Sequence, residues 1–199
     1  MKENVNSSLS GRSRETEILE ASLKVFARFG YGKTTLEDVA GTLGLSPQAL
    51  YRYVKNKRDL YLRTVERGFH LWQEAALKAA SEGETPLEAF RGACLSAFRY
   101  LAENPDLGRI IRQDPDLFPL FEKDDPFGEI NRSSVQLLVD LIRKGMEAGV
   151  FSVPDPLASA RVLFSLYSVF IQKAYVAGEE ETELFERGLD LVLNGLRAR

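Results

Sequence analysis

The stretch from Thr34 to Lys57, TTLEDVAGTLGLSPQALYRYVKNK, constrains this chain more than any other, because it writes two helix starts and a turn into one short segment. Thr34-Thr35-Leu36-Glu37 has the spacing of a capping box, in which a threonine hydroxyl and a glutamate three residues on satisfy each other's orphan amide donors. Ser46 then offers an N-cap with Pro47 at the first helical position, where the missing amide costs nothing and the fixed φ suits the helix. Between the two starts, Gly44 is able to take the positive φ that ends a helix. Two short helices joined by a Gly44-Leu45-Ser46 turn are a helix-turn-helix. Gln48, Tyr51, Arg52, Tyr53, Lys55 and Lys57 then crowd donors and aromatic hydroxyls onto the second helix and its exit. That surface suits DNA recognition.

The charge distribution points the same way. The chain has a net charge of -3, which argues against a generally basic nucleic-acid coat protein, but residues 1–60 carry 10 Lys and Arg against 7 Asp and Glu. Residues 61–199 carry 16 against 22, so the two parts are +3 and -6. DNA binding belongs to the N-terminal third. One cysteine, Cys94, excludes an internal disulfide framework and fits a reducing interior. Met1-Lys2-Glu3-Asn4 leads into polar residues without an apolar core region, so no secretory signal is expected. The most apolar run, Val162 to Ile171, is half the length of a membrane span and reads as a buried helix. A cytoplasmic location and no membrane partner are expected.

Helix signals parse the rest into an all-α fold of about nine or ten helices. Residues 1–13 are polar and are expected to form a flexible arm, with Arg12 and Arg14 at its end. Residues 14–60 are expected to form the DNA-binding domain. Its first helix buries Ile18, Leu19, Ser22, Val25, Phe26 and Phe29, stops at Gly30, and is covered by Leu36, Val39, Ala40, Leu43, Leu45, Leu50 and Val54. Residues 61–199 are expected to form a larger helical domain. Asn56 caps a helix from about 57 to 80, and Thr85-Pro86, Asn104-Pro105, Asp114-Pro115, Asp125-Pro126 and Asp155-Pro156 each announce a new helix. The last two, roughly 156–177 and 180–197, differ in that the first is apolar nearly all round. A partner subunit is the expected cover, giving a four-helix dimer interface.

Val25-Phe26-Ala27-Arg28-Phe29-Gly30-Tyr31, Thr34-Thr35-Leu36-Glu37-Asp38-Val39-Ala40, Gly44-Leu45-Ser46, Leu50-Tyr51-Arg52-Tyr53-Val54 and Asn56-Lys57-Arg58-Asp59-Leu60 together resemble the DNA-binding domain of the TetR family of bacterial transcriptional regulators. Gln48 stands where many members carry glycine, and Tyr53 where many carry histidine. The resemblance implies a homodimer on a palindromic double-stranded DNA operator, with the larger domain binding a small-molecule effector. Leu50 and Val54, four apart, should face inward, and Gln48 and Arg52, also four apart, should face the major groove. Arg reads guanine and Gln reads adenine, each at about 1–3 kcal/mol of discrimination, with Pro47 and Ala49 placed for thymine methyls. Tyr51, Tyr53, Lys55 and Lys57 resemble the phosphate-contacting positions of the family, and Thr34 or Thr35 offers a hydroxyl at a helix N-terminus. Arg12 and Arg14 are candidates for contact from the arm.

By the same resemblance the effector cavity lies among the helix from 57 onward and its successors, with Phe69, Trp72, Phe98, Ile111, Phe118, Leu138 and Ile142 as expected walls, and with Arg109 and Arg112 as groups for an anionic ligand. Such a lining favours an apolar or amphipathic effector. His70 is the sole histidine, so no multi-histidine metal site is expected, and there is neither a Gly-rich phosphate loop nor a catalytic pairing. No cofactor is expected. The leading expectation is a ligand-released repressor. An all-α ligand-binding or adaptor protein that no longer reads DNA stands second, and an enzyme third.

Overall fold

The computed structural model describes residues 6–114, 117, 125–172 and 179–197, and among these it has nine α-helices. They are α1 (Asn6–Lys33), α2 (Leu36–Thr42), α3 (Pro47–Leu50), α4 (Lys57–Glu82), α5 (Pro86–Glu103), α6 (Pro105–Gln113), α7 (Gly128–Glu147), α8 (Pro156–Gln172) and α9 (Glu179–Leu196). Among the described residues the β pairing is a single antiparallel bridge between Phe151 and Arg197. No helix of the described residues is long and apolar enough to cross a membrane. The chain divides between Gly68 and Phe69 into two compact units, so the first turns of α4 belong with the N-terminal one, eight residues beyond the expected limit at 60.

The N-terminal unit is built on α1. Its backbone is helical from Asn6, where an arm through residue 13 was expected, and it breaks at Gly30, whose φ of 76° and ψ of 160° leave the helix. Ile18, Leu19, Val25, Phe26 and Ala27 are buried in it, together with Ser22, whose hydroxyl donates to the Ile18 carbonyl. Phe29 is a correction. It is 45% exposed with the Arg28 guanidinium 5.0 Å over its ring, because it immediately precedes the Gly30 break. Leu36, Val39, Ala40, Leu50 and Val54 cover the α1 stripe as expected, while Leu43 and Leu45 are only half-buried. Tyr61 of α4 adds an edge-on ring 5.0 Å from Phe26.

Two caps fix the short helices. The capping box of α2 sits one residue later than expected: Thr35, not Thr34, is the N-cap, and Asp38, not Glu37, answers it. The Asp38 amide donates to Thr35 Oγ1 at 3.1 Å, and Asp38 Oδ2 accepts from the Thr35 amide at 2.8 Å. Thr34 is buried, with its hydroxyl donating to the Gly30 carbonyl at 2.8 Å. Ser46 caps α3 through Ala49 N–H at 3.2 Å, and Gly44 has the expected positive φ of 63°. Asn56 caps α4 through Asp59 N–H at 2.9 Å.

The corner after α1 is closed by Lys57. Its amine donates to the carbonyls of Tyr31 at 2.8 Å and Gly32 at 3.4 Å and lies 4.6 Å from the Tyr31 ring centroid. Tyr31 in turn packs 4.8 Å from Tyr61. Lys57 therefore ties the exit of α1 to the start of α4 rather than standing free for a phosphate.

The C-terminal unit packs α5, α7, α8 and α9 around Phe90, Ala93, Val135, Val139, Leu141, Ile142, Phe151, Ala160, Phe164, Leu189, Leu193 and Leu196. Thr85 and Glu88 form the expected capping box of α5, and α6 and α8 begin at Pro105 and Pro156 as expected. At Asp125-Pro126 the helix begins two residues late. Asp125 Oδ1 accepts from the Phe127 amide and Oδ2 from Asn131 Nδ2, holding a turn that delays α7 to Gly128. The expected helix start at Asp114-Pro115 and the span 173–178 lie at or beyond the edge of the described residues.

Two substitutions probe how the N-terminal unit is held. Thr35→Ala should lower its stability by about 1 kcal/mol, the usual worth of an N-cap, measured as the urea midpoint near neutral pH. Hydrogen bonds from the Thr35 side chain and then its backbone hold the Asp38 carboxyl below its usual 3.8. The stability from that carboxylate is thus present above pH 3.8 and lost as pH falls through the lowered value, so the gap between mutant and wild type should narrow in acid by the share of the Thr35 hydroxyl–carboxylate bond, while the share of the amide-to-hydroxyl cap remains. Lys57→Met should also cost about 1 kcal/mol, through the lost carbonyl and ring contacts.

Candidate nucleic-acid interface and ligand cavity

The reading segment begins at the Ser46 cap and continues past α3 as hydrogen-bonded turns to Val54, with Tyr53 N–H donating to the Leu50 carbonyl at 2.9 Å and Val54 N–H to the same carbonyl at 3.3 Å. Leu50 and Val54 point inward at 0% and 4% exposure. The opposite side therefore carries Gln48 and Arg52, both exposed, with Pro47 and Ala49 half-buried beside them. The four positions of the expected base-reading set are thus brought to one short surface.

Of the expected phosphate-contacting residues, Tyr51 is 53% exposed, Lys55 is exposed and Tyr53 is half-buried. Thr34, Thr35 and Lys57 are each engaged within the protein. The Thr34 hydroxyl is buried on the Gly30 carbonyl, the Thr35 hydroxyl is engaged by Asp38, and the Lys57 amine is engaged at the Tyr31 corner. The carboxylate that Asp38 places at the start of α2 also occupies the positive end of that helix. Arg14 forms an ion pair with Glu17 at 2.6 Å, and the side chain of Arg12 lies outside the described residues.

The electrostatics of the reading surface follow from one aspartate. Asp59 accepts the Lys55 amide at 2.9 Å and sits 3.7 Å from Arg63, so its charge is answered inside the unit. Arg52, Lys55 and Arg58 carry no ion pair among the described residues, and Arg52 and Lys55 are exposed. Besides pairing with Glu15, Arg63 donates to the Tyr53 carbonyl at 2.6 Å, which fastens the end of the reading segment to α4. Sequence periodicity gave no sign of that residue, since a long side chain reaching back ten positions leaves no helical spacing.

The C-terminal unit holds a cavity of about 310 Å³. Phe69, Trp72 and Leu138 line it as expected. Three other expected walls, Phe98, Ile111 and Ile142, are corrections. Ile111 and Ile142 are fully buried in packed core, and Phe98 lies one layer back, stacked 4.3 Å from Phe185, which does reach the cavity. Phe118 lies outside the described residues. Arg109 pairs with Asp106 at 3.4 Å, and neither it nor Arg112 reaches the cavity.

Residues that the sequence did not single out complete the lining, among them Gln73, Cys94, Asn131, Ser134 and Tyr167. Burial pushes the Cys94 thiol up to about 12, so it stands in the cavity wall as a neutral thiol. Burial, with Cys94 close by, also raises the Tyr167 phenol well above its usual value, against a smaller opposite pull from Trp72.

Residues 18–64 match the family pattern of the bacterial regulatory proteins of the tetR family. The chain is 24% identical over 193 residues to YvkB of Bacillus subtilis, described as an uncharacterized HTH-type transcriptional regulator, across 94% of this chain and 99% of that one. It is 25% identical over 144 residues to KstR2 of Mycobacterium tuberculosis, an HTH-type transcriptional repressor, across 72% and 71% of the two. The solved structure of KstR2, a ketosteroid transcriptional regulator, shares the fold with a TM-score of 0.69 at 20% identity, covering 98% of each chain. FadR of Bacillus subtilis, solved in complex with stearoyl-CoA, shares it with a TM-score of 0.73 at 19% identity, covering 92% of this chain and 99% of that one. The family match falls on the unit that exposes Gln48 and Arg52, and the likeness of fold runs on through the helical unit beyond it: residues 18–64 form a DNA-binding region of the tetR type, and the chain as a whole has the fold of the TetR-family transcriptional regulators it is similar to.

Proposed function

We propose that this regulator is a repressor that binds a palindromic operator as a homodimer and is released when an apolar or amphipathic small molecule enters the cavity of its C-terminal unit. The observation that carries this reading is the pairing, in one chain, of a cation-bearing reading helix with a cavity walled by apolar and aromatic side chains. Gln48 and Arg52 read base edges, and Tyr51, Lys55 and Arg58 hold phosphates. The likeness to KstR2, a ketosteroid transcriptional regulator, and to FadR, solved in complex with stearoyl-CoA, supports the effector class.

The dimer is supported by apolar side chains left in the open. Val162, Leu166 and Val169 follow one another at helical spacing along α8 and are 59%, 57% and 48% exposed. On α9, Leu184 and Leu191, seven apart, are 51% and 75% exposed. The other side of α9 is committed within the chain, where Arg91 pairs with Asp190 and Arg99 with Glu186. A two-fold pairing of α8 and α9 with a second copy buries those side chains in a four-helix interface. Two reading helices then meet successive major grooves when they stand about 34–36 Å apart. A ligand that favours another spacing lowers operator affinity by its differential binding, typically about 1–3 kcal/mol.

Band shift with the DNA upstream of the coding region tests the DNA half. Arg52→Ala should relax base preference, while Lys55→Ala should weaken operator and random DNA alike and reduce the steepness of the salt dependence by about one phosphate contact; wild-type behaviour in both would sink the assignment. For assembly, Val162→Glu removes no buried contact and should leave the helical content intact. It should convert the dimer to monomer in sedimentation velocity and abolish operator binding at concentrations where the wild type binds.

A further inference from the structure

The polar groups at the cavity of the C-terminal unit are not equivalent. Gln73 Nε2 donates to Ser133 Oγ at 2.7 Å and to Ser134 Oγ at 3.1 Å. Asn131 Nδ2 donates to Asp125 Oδ2 at 2.7 Å, and the Ser168 hydroxyl to the Phe164 carbonyl at 2.8 Å. The Trp72 indole N–H donates to the Ala97 carbonyl. Each of these donors is engaged by the protein itself.

Tyr167 is the exception. It lines the cavity, and its hydroxyl is buried and has no hydrogen bond of good geometry among the described residues, the Trp72 indole N–H beside it being directed at the Ala97 carbonyl. Its ring lies between Trp72, 5.8 Å away, and Phe185, 5.9 Å away, which fixes where the hydroxyl stands. A buried hydroxyl without a well-formed hydrogen bond bears the cost of its lost hydration, and an oxygen brought by a ligand recovers it. With its phenol raised by burial, Tyr167 stays protonated and offers a donor at any physiological pH.

The rest of the lining limits what can bring that oxygen. No described residue lining the cavity is an Asp, Glu, Lys, Arg or His. A carboxylate or ammonium taken into such a site would be desolvated with no opposite charge to answer it. A plain alkane would leave the Tyr167 hydroxyl as it is. Taking the effector cavity of the proposed function as given, we propose that the part of the effector held in this cavity is uncharged hydrocarbon carrying a carbonyl-type oxygen, and that this oxygen accepts a hydrogen bond from the Tyr167 hydroxyl. The ligand class is a neutral ketone or ester of lipid character.

The assignment is testable without DNA, because Trp72 is the one tryptophan of the chain and lines the cavity, so its emission reports occupancy. The full-length protein is titrated near neutral pH with methyl octyl ketone, decane and decanoate, as wild type and as Tyr167→Phe. The ketone should bind wild type at least about ten-fold more tightly than decanoate, and Tyr167→Phe should weaken the ketone about ten-fold while moving decane by less than about two-fold. The unliganded variant should melt no lower than wild type, since the lost hydroxyl made no hydrogen bond of good geometry. Decanoate binding as tightly as the ketone, a ketone affinity untouched by Tyr167→Phe, or a lowered melting temperature of the unliganded variant each overturns the assignment. Binding of the ketone without release of operator DNA leaves the ligand assignment standing and counts against the repressor reading instead.

Discussion

Helices of seven and four residues do not persist alone in water, because nucleating a helix costs more than so few hydrogen bonds return. Everything at the reading surface therefore depends on the burial of α2 and α3 against α1. Val39, Leu50 and Phe26, at 0% exposure, and Val54 at 4% supply that burial. Gln48 and Arg52 face outward because Leu50 and Val54 face inward; the reading side chains have no structure of their own to set their direction. Caps then decide where each short helix begins, and Thr35 and Ser46 each satisfy an amide that a longer helix could leave frayed.

The N-terminal unit was legible in the sequence because its signals are local. Ser46-Pro47, Gly44 and Asn56 act within a few residues of themselves, and the structure puts all of them where the spacing says. Where two local solutions were possible, the sequence left the choice open. Thr34 and Thr35 both precede α2, with Glu37 and Asp38 each three residues beyond one of them. Tertiary packing made the choice, since Thr34 is drawn into the core by its hydrogen bond to Gly30 and only Thr35 is left to cap. The clamp made by Lys57 was hidden for a related reason: an exposed lysine at a helix start and a lysine reaching the chain 26 residues back look identical in sequence.

The cavity was legible only in part, for a different physical reason. Periodicity tells which side chains leave water, and Phe69, Trp72, Phe98, Ile111, Leu138 and Ile142 are all buried or half-buried. It does not tell where two buried faces fail to meet. Ile142 is packed on all sides by the core of α5, α7, α8 and α9, whereas Leu138, one turn earlier on α7, borders open space. That difference arises from the volumes of residues far apart in sequence, such as Phe90, Phe164 and Leu189, and no window along one helix contains it.

Helix α4 is where the two kinds of information meet in one element. Its early residues serve the N-terminal unit: Arg63 holds Glu15 and the Tyr53 carbonyl, and Arg67 holds Glu20 at 3.1 Å. Its later residues, Phe69, Trp72, Gln73 and Ala76, line the cavity. The bond from Arg63 to Tyr53 ends on the carbonyl just before Val54, so the last turn of the reading segment is fastened to α4 within the N-terminal unit. One charged hydrogen bond of this kind is worth roughly 1.5–3 kcal/mol, so the Arg63 contact is a substantial part of what fastens the end of the reading segment to α4.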